Sequence, residues 1–236
     1  MTTIRAVCFD VGYTLLDETR RWDEWAEWLK VKPEELWEQM RSVIAEGVHH
    51  VEALRRISPG FELDTARVQR VRANRRDEYR QDDLYPDVSP CLARLKAAGV
   101  KVGAAGNMDA DVERFLVRSG LGFDVVASSD RWGVEKPDPR FFARLIEVMA
   151  TPADELVYVG DRIDNDVRPA AAAGIRAVFL RRGPWAQILE KTQDTSDAYA
   201  VIDSLEELPG LIAGGPPSEG KRTLPKSNKK DAPASR

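Results

Sequence analysis

Short apolar runs alternate with amphipathic stretches through most of this 236-residue chain. The runs predicted as strands are Ile4–Phe9, Lys101–Ala105, Asp124–Ser128, Leu156–Val159 and Arg176–Leu180, with Tyr199–Ile202 as a candidate edge strand. The stretches with helical periodicity between them are Ser89–Ala98, Ala110–Ser119, Pro139–Met149 and Asp166–Ala173. Strands and helices that alternate in this way predict an α/β fold with a parallel sheet and helices on both of its faces.

The segment from residue 19 to residue 80 interrupts the alternation, because it contains no strand-like run. Its apolar residues recur at three- and four-residue spacings, which is typical of helices. They include Trp22, Trp25, Trp28, Leu29, Leu36, Trp37, Met40, Val43, Ile44, Val68 and Val71. We therefore predict an all-helical cap over residues 19–80, inserted into a core of residues 1–18 and 81–213. The tryptophan stripe favours helix packing, with a pocket for a flat or apolar group as the alternative.

The composition indicates a soluble globular protein, because hydrophobic residues make up 43% and charged residues 31% of the chain. No apolar run approaches the roughly 20 residues that span a bilayer. Residues 1–10 also lack the apolar core and cleavage site of a signal peptide. We therefore expect a cytoplasmic protein without a membrane partner. Cys8 and Cys91, the two cysteines, form neither a disulfide framework nor a zinc site by themselves.

The net charge of −4 conceals an uneven distribution. From Gly214 onward there are six cations and two acids, so the rest of the chain carries a net charge of −8. The segment 214–236 is rich in Gly, Pro, Ser and Lys, and it cannot bury enough apolar area to offset the entropy of ordering it. We predict a disordered basic tail that aids solubility, and we expect no nucleic-acid partner.

Acidic side chains follow two of the predicted strands at the point where each strand ends. Asp10 comes directly after the first strand, and Asp161, Asp164 and Asp166 follow the strand Leu156–Val159. Ligands of open parallel sheets sit beyond the carboxyl ends of the strands, so these acids converge if the two strands are neighbours. Crowded carboxylates raise one another's pKa, and a hard cation such as Mg²⁺ relieves the repulsion. For any single acid, helix capping on a solvated turn is the alternative.

Two further segments are expected at the same edge of the sheet. Lys136 follows the strand Asp124–Ser128, where its ammonium group would hold both a carboxylate and a phosphate oxygen as a point charge. Taken alone, it would be interpreted as a surface lysine. Gly106 and Asn107 follow the second strand, and glycine lets backbone N–H groups approach a ligand oxygen closely. A simple strand-to-helix turn is the alternative.

Four segments together resemble the haloacid dehalogenase superfamily of hydrolases, in the order and at the spacing of that family's motifs. They are FDVGYTL, AAGN, GVEKPDPRFF and VGDRIDNDVRPAAAAG. The resemblance covers about residues 3–18 and 81–205, and it implies a Rossmann-like core. The helical insert is similar to the C1 cap of subfamily I.

The resemblance also implies a role for individual residues. Asp10 matches the nucleophile, which forms an aspartyl-phosphate that water then hydrolyses. Lys136 matches the motif lysine, and Gly106 and Asn107 stand where the family binds the substrate phosphate. The groups expected to hold Mg²⁺ are Asp10, the backbone carbonyl of Gly12, Asp161 and Asp166. The implied function is an Mg²⁺-dependent phosphatase of a small phosphorylated metabolite, acting as a monomer or a homodimer.

Two departures from the family pattern bear on catalysis. Gly12 stands where these phosphatases carry a second aspartate that protonates the leaving oxygen and activates water. General acid–base help of this kind contributes about 10²–10⁴ in rate. Tyr13, Asp17 and Glu18 are the nearby candidates to replace it. Gly106 stands where a Ser or Thr normally binds the phosphate, and backbone N–H groups would cover part of that loss.

These departures keep two alternatives open. One is a weakly active or inactive member of the family that binds a ligand or a partner without turnover. The other, less favoured, is a dehalogenase, because dehalogenases of this superfamily also lack the second aspartate and use no metal. The intact Asp161 and Asp166 disfavour this second alternative.

Overall fold

The computed structural model describes residues 3–214, in which parallel strands form one six-stranded sheet. The strands are β1 (Ala6–Phe9), β2 (Lys101–Gly106), β3 (Val125–Ser128), β4 (Leu156–Gly160), β5 (Arg176–Leu180) and β6 (Ala200–Ile202). They lie in the order β3-β2-β1-β4-β5-β6. The five predicted strands and the candidate edge strand are therefore confirmed, and the predicted parallel sheet with them.

The register brings the ends of the central strands to the same level. Phe9, the last residue of β1, is opposite Ala104 of β2 and Val159 of β4. The chain crosses from β1 to β2 on one side and reaches β4 on the other. A crevice therefore opens beyond the carboxyl end of β1, where ligands of such sheets bind.

Helices cover both faces of the sheet. They are α1 (Thr19–Leu29), α2 (Pro33–Ala45), α3 (Val51–Ile57), α4 (Leu63–Arg72), α5 (Val88–Ala97), α6 (Ala110–Arg118), α7 (Ser129–Trp132), α8 (Pro139–Met149), α9 (Arg168–Ala172), α10 (Gly183–Leu189) and α11 (Leu208–Gly214). Along β1, Val7 and Phe9 pack into the core beneath α5 and α6, while Ala6 and Cys8 pack into the core beneath α8. Successive side chains of a strand point to opposite faces, which is why β1 is apolar throughout.

One predicted helix, Asp166–Ala173, needs correction. Ile163–Val167 forms a π-helical turn, and α9 begins only at Arg168. The Asp166 carboxylate accepts a hydrogen bond from the backbone N–H of Arg162 at 2.9 Å. The wide turn therefore directs this carboxylate back toward the end of β4. Single π turns of this kind occur frequently at functional sites.

Residues 19–80 form four α-helices and no strand, as their apolar spacing predicts. Trp22 and Trp25 are buried in a third core, which also includes Trp185 and Leu189 of α10. Trp28 and Trp37 pack at the edge of this core and are partly buried. The packing interpretation of the tryptophan stripe therefore holds, while the division of the chain into a core and a cap domain stays a prediction.

The helix that Val68 and Val71 predict is α4, but neither valine lies on its buried face. Val68 and Val71 are 51% and 50% exposed, and the buried side chains are Ala66 and Arg70. The Arg70 guanidinium lies 4.3 Å from the centre of the Trp25 ring, and its Nε donates to a backbone carbonyl at 3.0 Å. An arginine that stacks on an aromatic ring takes the place of an apolar residue here, and hydrophobic periodicity does not reveal such a contact.

Residues 1–2 and 215–236 lie outside the described residues, so the predicted basic tail stays a prediction. Gly214, the first residue of that predicted tail, is the last residue of α11. Within residues 3–214, no helix combines the length and the apolar character that crossing a membrane requires.

Candidate active site

Three aspartates meet beyond the carboxyl ends of β1 and β4. Asp10 follows β1, and its backbone N–H donates to the carbonyl of Val159 at 2.8 Å, which fixes the residue at the edge of the sheet. Asp161 follows β4, and Asp166 reaches the same point from the π-helical turn. One carboxylate oxygen of each aspartate lies within 4.8 Å of the other two. Asp164, the fourth acid considered, pairs with a neighbouring arginine instead.

Lys136 connects two of these aspartates. Its Nζ donates to Oδ1 of Asp10 at 2.6 Å and to Oδ1 of Asp166 at 2.5 Å. The Asn107 side chain holds the lysine backbone, because it accepts from the Lys136 N–H at 2.7 Å and donates to the Lys136 carbonyl at 2.8 Å. The structure therefore adds a positioning contact to the substrate-binding role predicted for Asn107.

Negative charge exceeds positive charge in this buried cluster. Burial, with the carboxylates of Asp166 and Asp10 beside it, raises the pKa of Asp161 well above its ordinary value. Burial also raises the pKa of Asp166 to about 6, although Lys136 opposes the shift. Burial alone would lower the pKa of Lys136, but the two aspartates that it contacts raise this pKa above the ordinary value. A single ammonium group thus faces three carboxyl groups.

The composition of the cluster fits a hard divalent cation. Such cations prefer carboxylate and carbonyl oxygens, and three carboxylate oxygens converge here. Among the described residues, Oδ2 of Asp161 has no hydrogen-bond partner although it is buried. Buried polar atoms of native proteins almost always have a hydrogen-bond or metal partner. A bound cation would satisfy this oxygen and offset the burial and the repulsion that together raise the two pKa values.

Two glycines leave room for the carboxylates. A Cβ on Gly106 would lie 2.6 Å from Oδ1 of Asp10, and a Cβ on Gly160 would overlap the carboxyl group of Asp166. A Ser or Thr at position 106 would therefore displace the nucleophile predicted at Asp10 from its present orientation. Gly160 is not among the residues predicted for the site. Its position directly before Asp161 is the only feature of the sequence that indicates this role.

The side chain of Glu18 fills the space beside Gly12. A Cβ on Gly12 would lie 3.2 Å from Oε1 of Glu18 and 3.6 Å from Oε2. The Tyr79 hydroxyl donates to Oε1, and Nη1 of Arg21 lies 3.5 Å from the same oxygen. Sequence reasoning did not identify Tyr79 or Arg21, because only the folded path of residues 19–80 brings them to Gly12.

Of the other two candidates to replace the second aspartate, Asp17 borders a different cavity, whereas Tyr13 lines the same cavity as Asp10 and Glu18. Oδ1 of Asp17 accepts from the backbone N–H of Thr19 at 2.9 Å, and Asp17 lines a separate cavity of about 700 Å³. Tyr13 has a φ of 52°, and its ring packs against Gly183. The Tyr13 hydroxyl is buried, without a hydrogen-bond partner in residues 3–214.

A cavity of about 1080 Å³ joins the acidic cluster to α1, α3 and α4. Its wall includes Asp10, Gly12, Glu18 and Lys136 and, from residues 19–80, Arg21, Trp22, Trp25, His49, His50 and Arg67. Trp22 and Trp25 therefore both pack in a core and border the pocket. Arg67 of α4 lies 3.6 Å from Asp109 at the start of α6, so an ion pair links the helical insert to the rest of the chain.

The fold and the site together define an α/β protein with an acidic site beyond the central strands of a parallel sheet. Comparison with known proteins then gives the family. Residues 4–174 match the model of the haloacid dehalogenase-like hydrolases, and this chain belongs to that family.

Curated relatives of the chain carry the names of phosphatases. It is 32% identical over 228 residues to the glyceraldehyde 3-phosphate phosphatase of Methanopyrus kandleri, a match that covers 89% of this chain and 97% of that protein. It is 37% identical over 109 residues to the phosphoserine phosphatase of Thermus thermophilus, and this match covers 45% of this chain and 44% of that protein. The second match therefore spans less than half of either protein.

Solved structures share the fold over almost the whole chain. The 2-haloacid dehalogenase of Pseudomonas syringae pv. Tomato is 26% identical with a TM-score of 0.55, and the match covers 89% of this chain and 99% of that one. The HAD phosphatase of Thermococcus onnurineus is 23% identical with a TM-score of 0.59, and the match covers 90% of this chain and 100% of that one. The latter likeness concerns the fold alone.

Proposed function

We propose that this chain is an Mg²⁺-dependent phosphatase that hydrolyses the phosphoric monoester of a small metabolite, with Asp10 as the nucleophile. The observation that carries the proposal is the contact between Lys136 and Asp10 inside the cluster with Asp161 and Asp166. A carboxylate held by an ammonium group at the edge of a cavity has a fixed direction of attack. Relatives named as phosphatases of glyceraldehyde 3-phosphate, phosphoserine and phosphoglycolate support a small phosphorylated substrate.

Mg²⁺ would be held by the carboxylates of Asp10 and Asp161 and the backbone carbonyl of Gly12, with Asp166 as a further ligand or a neighbour. When bound, the cation would neutralise charge on the phosphate and align it with the nucleophile. The unsatisfied oxygen of Asp161 and the raised pKa values of Asp161 and Asp166 support a site that lacks positive charge.

In the proposed reaction, the Asp10 carboxylate attacks phosphorus and the ester bond breaks, which leaves a phosphoaspartate for water to hydrolyse. Lys136 orients Oδ1 of Asp10 and places positive charge beside the transferred group. Because position 106 has no side chain, a phosphate group can approach the backbone closely there. The backbone N–H groups of Gly106 and Asn107 would then bind its oxygens. The helices of residues 19–80 would act as a C1 cap, as in subfamily I, that excludes water from the cavity.

A panel of phosphorylated compounds tests this function. The protein is incubated with glyceraldehyde 3-phosphate, phosphoserine, phosphoglycolate, p-nitrophenyl phosphate and acetyl phosphate, in Mg²⁺ or in EDTA, and inorganic phosphate is measured. We expect release from at least one compound, in Mg²⁺ only. No release from any of them would favour a family member that binds without turnover, the alternative that Gly12 and Gly106 motivate. Halide release from a 2-haloacid in EDTA would favour a dehalogenase.

Mg²⁺ is expected to raise the unfolding temperature, and to raise it more at neutral pH than at acidic pH. A cation at about 100 times its Kd stabilises the folded state by roughly 2.7 kcal/mol, which corresponds to several degrees for a domain of this size. Because the pKa of Asp166 is raised to about 6, a proton competes with the cation below that pH. The Mg²⁺-free protein also gains stability from this group as the pH falls from about 6 toward the unfolded value near 4. Protonation of Asp166 thus stabilises the Mg²⁺-free protein and weakens cation binding in a single linked effect, which makes the shift smaller in acid.

Differential scanning fluorimetry of two matched variants provides the measurement. Asp161→Asn should lose the Mg²⁺ shift. Asp164→Asn should keep it, because Asp164 pairs with Arg162 at 2.7 Å and stays outside the cluster. Equal shifts in the two variants, or a larger shift in acid, would contradict the placement of the cation on the three aspartates.

A further inference from the structure

The carboxylate of Glu18 occupies the space where a side chain at position 12 would stand. A Cβ on Gly12 would lie 3.2 Å from Oε1 of Glu18. An aspartate at position 12 would carry its own carboxylate oxygens two bonds beyond that Cβ. Glu18 therefore brings the same functional group into the same volume from another part of the chain. Asp10, Gly12 and Glu18 all line the cavity of about 1080 Å³.

The contacts of Glu18 hold one carboxylate oxygen and leave the other available. Tyr79 donates to Oε1, and Nη1 of Arg21 lies 3.5 Å from Oε1. The Arg21 guanidinium also lies 4.0 Å from the centre of the Tyr79 ring, so the two groups that hold Glu18 support each other. In residues 3–214, no hydrogen bond reaches Oε2, and the side chain is 18% exposed. Oε2 is thus the oxygen of Glu18 that is left without a partner, on a side chain that lines the cavity.

We propose that Glu18 is the general acid and base of the reaction at Asp10, in place of the side chain that Gly12 lacks. This inference rests on the proposed phosphatase function. First, Asp10 bonds to phosphorus while the bond from phosphorus to the leaving oxygen breaks, and that oxygen keeps the electron pair and takes a proton from protonated Glu18. Next, the Glu18 carboxylate takes a proton from water as the water oxygen bonds to phosphorus and the bond to Asp10 breaks. The products are an alcohol and inorganic phosphate, with Glu18 protonated again.

Glu18→Gln is expected to slow the first step, transfer of the phosphoryl group to Asp10, according to the leaving group's need for a proton, and to slow the second step, hydrolysis of phosphorylated Asp10, for every substrate. Phosphoserine, phosphoglycolate and glyceraldehyde 3-phosphate release an alkoxide unless an acid protonates it, so kcat should fall by about 10²–10⁴. The p-nitrophenolate and acetate ions leave without a proton, so the first step with p-nitrophenyl phosphate or acetyl phosphate should persist. Because glutamine cannot activate water, a burst of p-nitrophenol and a phosphorylated Asp10, detected by mass spectrometry of acid-quenched protein, are expected.

Three further variants, which are Asp17→Asn, Glu18→Ala and a double variant, separate chemistry from folding. Asp17→Asn changes the adjacent acid, which faces the separate cavity, and should keep the wild-type kcat. Gly12→Asp combined with Glu18→Ala returns a carboxylate to the same volume without overlap with Glu18. This double variant should recover most of the activity that Glu18→Ala loses with the alkyl phosphates. The comparison also applies if circular dichroism shows Glu18→Gln to be unfolded.

The outcomes distinguish this role from the function on which it rests. Equal losses in the rate of the first step with alkyl phosphates and with p-nitrophenyl phosphate, no burst of p-nitrophenol, or undiminished turnover of alkyl phosphates by Glu18→Gln would overturn the role of Glu18 and leave the phosphatase function in place. If the wild-type protein released phosphate from none of the five compounds, both proposals would be overturned.

Discussion

Asp10→Asn is expected to abolish Mg²⁺-dependent phosphate release, with a loss in kcat on the order of 10⁴ or more. Asparagine preserves the shape of the side chain and the backbone hydrogen bond to Val159, but it removes the attacking carboxylate and one expected ligand of Mg²⁺. Lys136 keeps its other partner, Asp166, and the repulsion among the carboxylates decreases. The fold should therefore survive the substitution. Phosphate release and the unfolding midpoint are measured on the same preparation.

Survival of activity in this variant would contradict the assignment of the nucleophile. Phosphate release at the wild-type rate would place the catalysis elsewhere, either on another residue or in a contaminating phosphatase. Asp164→Asn is the matched control, because it makes the same chemical change in a nearby acid that pairs with an arginine. Its activity is expected to stay close to that of the wild-type protein.

Lys136→Met is expected to cause the second largest effect, on stability and on activity together. The ammonium group is buried and contacts Asp10 and Asp166, so its removal leaves carboxylates buried without a cation. Removal of one partner from a buried ion pair costs about 3–5 kcal/mol. Because the remaining carboxyl groups would take up protons, the loss should be smaller near pH 5 than near pH 8. Loss of one preorganised electrostatic group should also lower kcat by about 10²–10³.

Urea unfolding at the two pH values, with and without Mg²⁺, measures this effect. Added Mg²⁺ should restore part of the stability, because it supplies positive charge to the same carboxylates. Lys101→Met serves as the control, since Lys101 donates to the carbonyl of Met149 at 2.9 Å and contacts none of the three aspartates. Lys136→Met could instead have the same unfolding free energy as Lys101→Met at both pH values. That result would show that Lys136 does not stabilise the buried carboxylates.

The sheet and the position of the main acids could be predicted from the sequence for a simple physical reason. A parallel strand covered on both faces is a continuous apolar run, and the first polar residue after it marks its end. Asp10 and Asp161 were expected to meet on condition that their strands are neighbours. The pairing of Phe9 with Val159 fulfils that condition.

The surroundings of these acids could not be predicted, because they depend on the path of the chain in three dimensions. The π-helical turn that directs Asp166 back to the site has the sequence of an ordinary helix start. The place of Glu18 beside Gly12 follows from how residues 13–18 turn after β1, and Tyr79 reaches it from more than sixty residues further along the chain. On α4, the arginine stacked on Trp25 is buried while Val68 and Val71 are exposed, an arrangement that apolar spacing does not indicate.

The central position of β1 also has a consequence for biosynthesis. It is the first strand of the sheet to leave the ribosome, yet its partners β2 and β4 end only at Gly106 and Gly160. At about 5–20 residues per second, the nascent chain carries β1 for on the order of ten seconds before both of its edges are covered. During that time its apolar edges are open to pairing with other chains. Translation that stops before β4 would thus yield a polypeptide that contains Asp10 but lacks Asp161 and Asp166 and leaves one edge of β1 unpaired.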